Sequence, residues 1–271
     1  MGEISMVNSV YKPKYPVQTL EKAIDILLCL KCANSSSGMG LAEISEKLDM
    51  GKSVVHRILD TLYAYGFVEK VEGSVTTYRL GWGIYDIAQA VPASHNLNEA
   101  VYQKILEQLC TKCMETVNLG IYNNGEVVII CKMEPDRRLR STVEIGEREP
   151  LYATALGKQF LSHFTKEEVK DYFTKADIQP ITQNTIVSLD DMYSELEIVK
   201  KNGYSIDNME FCDDLICTAV PVFDYKNELI AAISISVPSS RFTKEKSQEI
   251  IQELKKAGEA LSEYLGYQKE V

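Results

Sequence analysis

The sequence lacks the features that would place a chain of 271 residues among membrane or secreted proteins. No apolar run approaches the ~18–20 residues of a membrane-spanning helix. The first residues, MGEISMVNSVYKPKYP, have neither the basic start nor the apolar middle of a signal peptide. The seven cysteines are an odd number and are scattered, which is not the pattern of a disulfide framework. These absences predict a cytoplasmic globular protein with no membrane partner, long enough for two domains.

Positive charge is also scarce, and this limits how the chain could contact nucleic acid. Lys and Arg number 29 against 39 Asp and Glu, a formal net charge of −10. The acid is unevenly distributed, since residues 1–90 carry a net charge of −1 and the remainder carries −9. Any DNA contact must therefore come from a local patch in the first part of the chain, and not from a general positive field.

The signatures of common catalytic classes are missing as well. There is no Gly-x-Ser-x-Gly nucleophile elbow, no paired acid motif and no dinucleotide fingerprint. The segment ATALGKQF (153–160) resembles a phosphate loop only superficially. No glycine stands five residues before Gly157, and Gln159 replaces the Ser or Thr that would hold magnesium. We therefore predict that the chain is not an enzyme and needs no cofactor.

Two cysteine pairs have the spacing found in four-cysteine zinc sites. Cys29 and Cys32 form one Cys-x-x-Cys pair, and Cys110 and Cys113 form another. Both pairs fall inside helical patterns without the turns of zinc knuckles, and they lie in different predicted domains. The sequence therefore favours reduced cysteines and no metal site.

The first part of the chain alternates between helical patterns and short turns. Residues 1–16 show no periodicity and are interpreted as a flexible arm. The predicted elements after the arm are a helix capped by Thr19 with Leu20, Ala23, Ile24 and Leu27 as its apolar face, a helix over 41–48, a helix capped by Ser53, and strands 67–71 and 75–80 joined by Glu72-Gly73-Ser74. This order is that of a winged helix-turn-helix, although three helices packed on a hairpin without a DNA-binding role would show it too.

The third of these helices, within GKSVVHRILDTLYAY (51–65), has two chemically different faces. At 100° per residue the apolar face consists of Val55, Ile58, Leu59 and Leu62. The opposite face consists of Ser53, His56, Arg57 and Asp60. Hydrogen-bond donors are thus concentrated in the first two turns, whereas a merely solvated face more often carries Glu/Lys pairs. The alternative interpretation of Arg57 is a solvated salt bridge to Asp60.

The remainder of the chain predicts an α+β domain behind a connecting segment. Residues 81–90 are predicted to form a linker helix stopped by Pro92, and 92–98 a polar hinge. The predicted elements beyond it are helix 99–113, strands 117–122, 126–133 and 141–145, helices 155–164 and 190–201, strands 203–210, 216–223 and 228–237, and a final helix 243–265. Antiparallel hairpins flanked by helices indicate an α+β fold and not a doubly wound parallel sheet.

These segments together resemble the IclR family of bacterial transcriptional regulators. In the first domain the resemblance rests on LAEISEKLDMGKSVVHRILDTLYAYGFVEK and YRLGWGI. In the second it rests on PLYATALGKQFL, NGYSIDNME and CTAVPVFDYKNELIAAISISVPSSR. The resemblance implies a winged helix-turn-helix DNA-binding domain over 17–80, a linker helix and hinge over 81–98, and a GAF-like effector-binding domain over 99–271.

The resemblance also implies which residues contact DNA. In such a fold the N-terminal residues of the third helix meet base edges in the major groove. The implied DNA-binding residues are Lys52, Ser53, His56 and Arg57 on this helix and Ser74, Thr76 and Thr77 on the wing. Because each copy makes few phosphate contacts, we expect a homodimer on a two-fold-related operator, with further pairing of dimers. Candidate interface residues are Leu20, Leu27, Leu28 and Trp82, with burial in the core as the alternative interpretation of each.

A second site is expected in the C-terminal domain. Thr154 can cap the helix that follows, leaving the N–H groups of Ala155 and Leu156 for an anion. Family members bind small effectors between this helix start and the sheet. Carried over by position, the effector-binding residues are Ala155, Leu156, Asp207, Cys217, Ser234 and Ser236. These groups suit a small carboxylate such as a hydroxy, keto or sugar acid. The alternative interpretation is that these small polar residues simply pack under the helix.

The sequence thus predicts a sequence-specific transcriptional regulator, a repressor, that binds double-stranded operator DNA and responds to a small organic acid. The competing hypothesis is a small-molecule-binding enzyme or sensor that does not act through DNA. The donors retained at 52–57 argue against that hypothesis.

Overall fold

The structure is a computed structural model that describes residues 13–33, 38–73, 75–94 and 99–268. The chain divides into two compact units, Met1–Asn96 and Leu97–Val271. Among the described residues, no helix is both long and apolar enough to cross a membrane.

The first unit is a small helical domain with a three-stranded sheet. Its elements are α1 (Gln18–Ala33), β1 (Met39–Gly40), α2 (Leu41–Lys47), α3 (Lys52–Ala64), β2 (Val68–Val71), β3 (Thr77–Leu80) and α4 (Trp82–Ser94). The strands pair antiparallel in the order β1-β3-β2. The strand β1, two residues long, is an addition to the predicted hairpin.

The apolar face of α3 is placed as predicted, and that of α1 only in part. Val55, Ile58, Leu59 and Leu62 are all buried in the core of the first unit. On α1 the buried residues are Ile26, Cys29 and Leu30, whereas Leu20 and Ile24 are exposed. The predicted stripe is therefore confirmed for Ala23 and Leu27, which pack against this core, and wrong for Leu20 and Ile24, because the core lies mainly under the C-terminal half of α1.

The predicted N-caps of α1 and α3 also differ from the structure. The first helix begins at Gln18, so Thr19 lies inside it. The third helix has Gly51 as its N-cap, without a side-chain cap hydrogen bond, and begins at Lys52. Ser53 is therefore an exposed residue of the first turn and not a cap.

The end of α3 is joined tightly to the start of α4. Gly66 follows α3 with φ of 71°, as expected for a glycine at this position. The N–H of Gly83 donates to the carbonyl of Gly66 at 2.9 Å. A Cβ at Gly81 would lie 2.3 Å from the same carbonyl oxygen, so only glycine fits there. The YRLGWG motif is thus explained by close backbone packing. The helix α4 continues to Ser94, past Pro92, so the predicted stop at this proline was wrong.

The second unit is an α+β domain built on one antiparallel sheet. Its elements are α5 (Glu99–Cys113), β4 (Thr116–Asn123), β5 (Glu126–Met133), β6 (Arg148–Pro150), α6 (Ala155–Ser162), α7 (Lys166–Lys175), α8 (Leu189–Asn202), β7 (Ser205–Asn208), β8 (Leu215–Phe223), β9 (Leu229–Pro238) and α9 (Lys244–Tyr264). The six strands follow the order β6-β5-β4-β9-β8-β7, so β6 and β7 are the two edges.

The two faces of this sheet carry different chemistry. One face is apolar and packs with α5 and α9 around a core that includes Leu119, Ile233 and Leu254. The other face packs with α6, α7 and α8 around Val127, Ile129 and other apolar residues, and it turns polar towards β7 and β8. This second face provides the floor of the site described below.

Two details of the second unit were predicted incorrectly. Residues 141–145 form no strand, and pairing with β5 begins only where the N–H of Gly146 donates to the carbonyl of Ile129 at 2.7 Å. The sequence analysis also missed α7, although Thr165 and Glu168 form a capping box at its start.

Candidate nucleic-acid interface and effector cavity

The predicted donors of α3 lie together on its exposed side. Lys52, Ser53, His56 and Arg57 are all exposed, while Val55 between them is fully buried. Burial of the apolar stripe therefore fixes the rotation of the helix and leaves the donors facing outward.

Arg57 does not make the salt bridge considered as an alternative. The carboxylate of Asp60 pairs with Lys70 of β2, with Nζ and Oδ1 3.5 Å apart. Lys70 also lies over the ring of Tyr63, 4.2 Å from its centroid. These contacts join α3 to the wing, and they leave the guanidinium of Arg57 outside the Asp60 pair.

The wing is a two-stranded hairpin whose tip lies next to the described residues Thr76 and Thr77. Glu69 and Arg79 face each other across β2 and β3, and their side chains pair at 2.9 Å. Thr76 is exposed and Thr77 is half-buried. The third predicted wing residue, Ser74, lies outside the described residues.

The start of α6 is fixed by a side-chain cap and by close packing. The hydroxyl of Thr154 accepts from the N–H of Gly157 at 3.1 Å and donates to the carbonyl of Pro150 at 2.9 Å. A Cβ at Gly157 would lie 2.3 Å from the Cα and the carbonyl oxygen of Leu151. The predicted cap at Thr154 is therefore confirmed. The N–H groups of Ala155 and Leu156 belong to the first turn, where a helix provides no backbone acceptor.

All six predicted effector residues line one cavity of about 180 Å³. They come from α6 and from three neighbouring strands, since Asp207 pairs with Cys217 and Cys217 with Ser236 in the antiparallel register. Side chains directly opposite one another in such a sheet share a face. Ser234 and Ser236, two residues apart on β9, are both buried on that face, as the alternation of the strand predicts.

The cavity has further walls that the sequence analysis did not identify. Its other lining residues are Asn118, Ser141, Thr142, Val143, Glu147, Glu149, Thr154, Phe211, Cys212 and Leu215. Asn118 is buried, and its Nδ2 donates to the hydroxyl of Ser236 at 3.4 Å. Its Oδ1 has no hydrogen-bond partner among the described residues. An unpaired buried acceptor at a cavity wall is suited to a ligand donor.

Asp207 has a structural contact as well as a place in the cavity wall. Its Oδ1 accepts hydrogen bonds from the N–H groups of Glu210 at 2.7 Å and Phe211 at 3.3 Å. The carboxylate therefore holds the turn that carries Phe211 and Cys212 to the cavity. Sequence reasoning assigned Asp207 to effector binding alone and missed this second role.

A buried ion-pair cluster lies behind Asp207. Lys158 of α6 is fully buried, and its Nζ lies 3.1 Å from Glu195 Oε1, 2.6 Å from Glu210 Oε1 and 2.9 Å from the carbonyl oxygen of Ile206. Burial raises the pKa of Glu210, and the ammonium of Lys158 opposes that shift. This cluster ties α6, α8 and the turn after β7 together.

The carboxyl groups at the cavity are costly to ionise. Burial raises the pKa of Asp207 to about 7. Burial, followed by the charges of Glu147 and Asp207, also raises the pKa of Glu149 to about 7. Burial, followed by the charge of Asp207, raises the pKa of the Cys217 thiol well above its usual range. Near neutral pH the acidic wall can therefore exchange protons.

Large apolar side chains are exposed on the first unit. Leu20 and Ile24 on α1 are exposed, and Trp82 of α4 is 76% exposed and stacks edge-on against Tyr85. The other two candidate interface residues, Leu27 and Leu28, are both half-buried. Leu20, Ile24 and Trp82 therefore leave apolar area on the first unit that a partner could cover.

Two family comparisons cover almost all of the chain described above. Residues 19–72 match the IclR helix-turn-helix domain, and residues 89–263 match the bacterial transcriptional regulator IclR C-terminal domain. The chain belongs to the IclR family of bacterial transcriptional regulators.

Individual relatives give the same result. The transcriptional regulator KdgR of Escherichia coli is 32% identical over 250 residues, which are 92% of this chain and 94% of the relative. The transcriptional repressor AllR of Escherichia coli is 32% identical over 230 residues, which are 84% of this chain and 83% of the relative. Because these relatives are transcriptional regulators, the prediction of a DNA-binding regulator and not an enzyme is confirmed.

Solved structures confirm the α+β fold with a helix-turn-helix domain. The IclR protein of Thermotoga maritima is similar with a TM-score of 0.75 and 29% identity, over 92% of this chain and 99% of that one. The IclR regulator of Alicyclobacillus acidocaldarius is similar with a TM-score of 0.78 and 25% identity, over 93% and 100% of the two chains.

Proposed function

We propose that this regulator represses transcription by binding a two-fold-related operator as a homodimer, and that a small organic acid in the described cavity changes its operator affinity. The observation that carries the proposal is the cavity itself, which joins a helix start with six residues expected to contact an effector. The domains of the proposal are an arm over 1–16, a DNA-binding domain over 17–80, a linker over 81–98 and an effector domain over 99–271.

The DNA contact is assigned to the exposed donors of α3. Arg57 can place its two-pronged guanidinium on a guanine edge, while Lys52 contacts a phosphate and Ser53 and His56 lie beside them. The wing donors Thr76 and Thr77, with Ser74, contact the sugar-phosphate backbone. The first unit carries almost no net charge, so one copy binds weakly and two copies are needed.

The dimer interface is assigned to the exposed apolar side chains of the first unit. Leu20, Ile24 and Trp82 would lose their exposed area in a symmetric contact with a second copy. Pairing of two such dimers on one operator is the larger assembly that the proposal includes.

The effector is assigned by the chemistry of the cavity walls. Its carboxylate binds the N–H groups of Ala155 and Leu156 at the positive end of α6. The hydroxyls of Ser234 and Ser236 and the acceptors Asp207 and Asn118 bind its polar groups. The cavity is smaller than the ~300–1,000 Å³ of sites for drug-sized ligands, which favours a compact hydroxy, keto or sugar acid.

A gel-shift titration on DNA upstream of the chain's own reading frame tests both halves of the proposal. We expect a discrete complex whose affinity changes about five- to 150-fold with an effector found by a thermal-shift screen of organic and sugar acids. The double variant Ser234→Ala, Ser236→Ala should lose the response to the acid and keep the complex. A chain that binds acids but not operator DNA would instead support the competing sensor hypothesis.

A further inference from the structure

The charge of the cavity is unusual for a site that accepts an acid. Its lining includes three carboxyl groups, Glu147, Glu149 and Asp207. None of the described lining residues is Lys, Arg or His. The buried cation nearest to this wall, Lys158, is already held by Glu195 and Glu210. The described walls therefore offer an anion no cationic side chain, and its assigned place is the start of α6 with its free N–H groups.

Glu149 is placed to face a ligand. It lies on the edge strand β6 directly opposite Val127, whose side chain is buried beneath α6. Opposed residues share a face of the sheet, so the side chain of Glu149 lies on the same side as the cavity floor. Across the cavity, Asp207 occupies the other edge strand, and Asn118 presents its unpaired Oδ1 between them.

This inference rests on the proposed function and concerns the class of acid that the cavity selects. We propose that Glu149 is a specificity-determining residue that accepts a hydrogen bond from an effector hydroxyl and rejects acids with a second carboxylate. A monocarboxylate binds the N–H groups at the start of α6 through its carboxylate and donates hydrogen bonds from its hydroxyls to Glu149, Asp207 and Asn118. A dicarboxylate of the same length would instead place its second negative charge against Glu149 and Asp207.

The electrostatics of the unliganded cavity support this assignment. The charges that act on Glu149 are those of Glu147, two residues before it, and Asp207 on β7, and Glu149 in turn acts on the thiol of Cys217 on β8. With burial, the two carboxylates raise the pKa of Glu149 to about 7. A second ligand charge adds to this repulsion above pH 7, and protonation of Glu149 relieves it below pH 7.

Matched pairs of acids test the proposal on the full-length protein. The pairs are glycerate with tartronate, threonate with tartrate, and gluconate with glucarate, which differ only by a terminal CH₂OH or carboxylate. In any pair of which at least one acid binds, calorimetry at pH 8 should show that the monocarboxylate has a dissociation constant at least about tenfold lower than that of the dicarboxylate. A tenfold difference is equivalent to ~1.4 kcal/mol of binding free energy. Glu149→Gln should reduce that preference to below about threefold, and lowering the pH to 6 should reduce it in the wild type.

The control is Glu144→Gln, which makes the same chemical change in the same segment at an exposed residue outside the cavity lining. It should keep the wild-type preference. Equal affinity of the wild type for both members of a pair would overturn the proposal, as would an unchanged preference in Glu149→Gln. Failure of the proposed function has a different signature. In that case no acid of any pair binds the wild type or either variant, which overturns the acid effector and this selectivity together.

Discussion

Glu149 and Asp207 lie on the two opposite edge strands of the six-stranded sheet, and both line the same cavity. The two edges are therefore close enough for the charge of Asp207 to raise the cost of ionising Glu149. Sixteen lining residues converge on this space from strands, turns and the start of α6. The arrangement concentrates negative charge opposite the end of the cavity that can take an anion.

The first prediction concerns stability against pH. Because the folded-state pKa of Glu149 is raised from 4.5 to about 7, the folded state holds this proton more tightly than the unfolded state. Its contribution to stability is therefore present below pH 4.5 and is lost as the pH rises through 7. Glu149→Gln should be more stable than the wild type at pH 8, by on the order of 1–3 kcal/mol, and similar to it at pH 4.5. Urea unfolding at both pH values measures this, and an equal difference at both would contradict it.

The second prediction concerns the buried cluster of Lys158. Lys158→Met should cost about 3–5 kcal/mol of unfolding free energy, because the carboxylate of Glu210 stays buried without its cation. The double variant Lys158→Met, Glu210→Gln removes that charge and should recover part of the loss. Lys175→Met is the control, since the pair of Lys175 with Asp171 is exposed and worth at most ~1 kcal/mol. Equal losses in Lys158→Met and Lys175→Met would show that burial of the cluster has no such effect.

The third prediction concerns recognition of DNA. Arg57→Ala should weaken operator binding by roughly 1–3 kcal/mol and relax the preference at one base pair. Arg57→Lys keeps the charge but cannot make the two-pronged contact, so it should keep non-specific affinity and still relax the preference. Measuring the binding of both variants to operator and scrambled duplexes at fixed salt separates the non-specific affinity from the base preference. Unchanged affinity and preference in Arg57→Ala would show that α3 does not read this position.

The fourth prediction concerns assembly. Leu20→Glu and Trp82→Glu place a charge on the exposed apolar side chains of the first unit, so each should shift the protein towards the 30.5 kDa monomer. Light scattering at micromolar concentration measures the mass. Tyr225→Glu is the control, because Tyr225 is 61% exposed and lies in the second unit, outside the surface assigned to this contact. A wild type that is monomeric under these conditions would refute the dimer.

The features that could be predicted from the sequence are those determined by residues close together in the chain. The polar face of α3 and the pair Ser234 and Ser236 were predictable, because helical and strand periodicity assign faces without knowledge of the partner. The cap at Thr154 was predictable because an N-cap depends only on its own side chain and the first turn of the helix. Thr165 and Glu168 offered an equally local signal for α7, which the sequence analysis overlooked.

Features that depend on long-range packing were not predictable in this way. Glu149 was missed because the strand was placed at 141–145, whereas the pairing with β5 puts it at Arg148–Pro150. The apolar pattern of α1 continues through Leu20 and Ile24, and only the position of α2, α3 and the sheet decides which residues are covered. The ion pairs of Lys158 join residues up to 52 positions apart in the chain.

The contact of Gly157 with Leu151 has a consequence for how such a cavity can change over evolutionary time. The seat of α6 has no room for one methyl group at Gly157, so under the proposed function the N–H groups of Ala155 and Leu156 keep their place as the carboxylate site. The floor residues are restricted in another way, by side-chain hydrogen bonds that join Asp207 to the turn after β7 and Ser236 to Asn118. If the proposed function holds, new ligand preferences can therefore arise by substitutions on the sheet that keep or replace these hydrogen bonds, while the attachment point of the carboxylate stays the same.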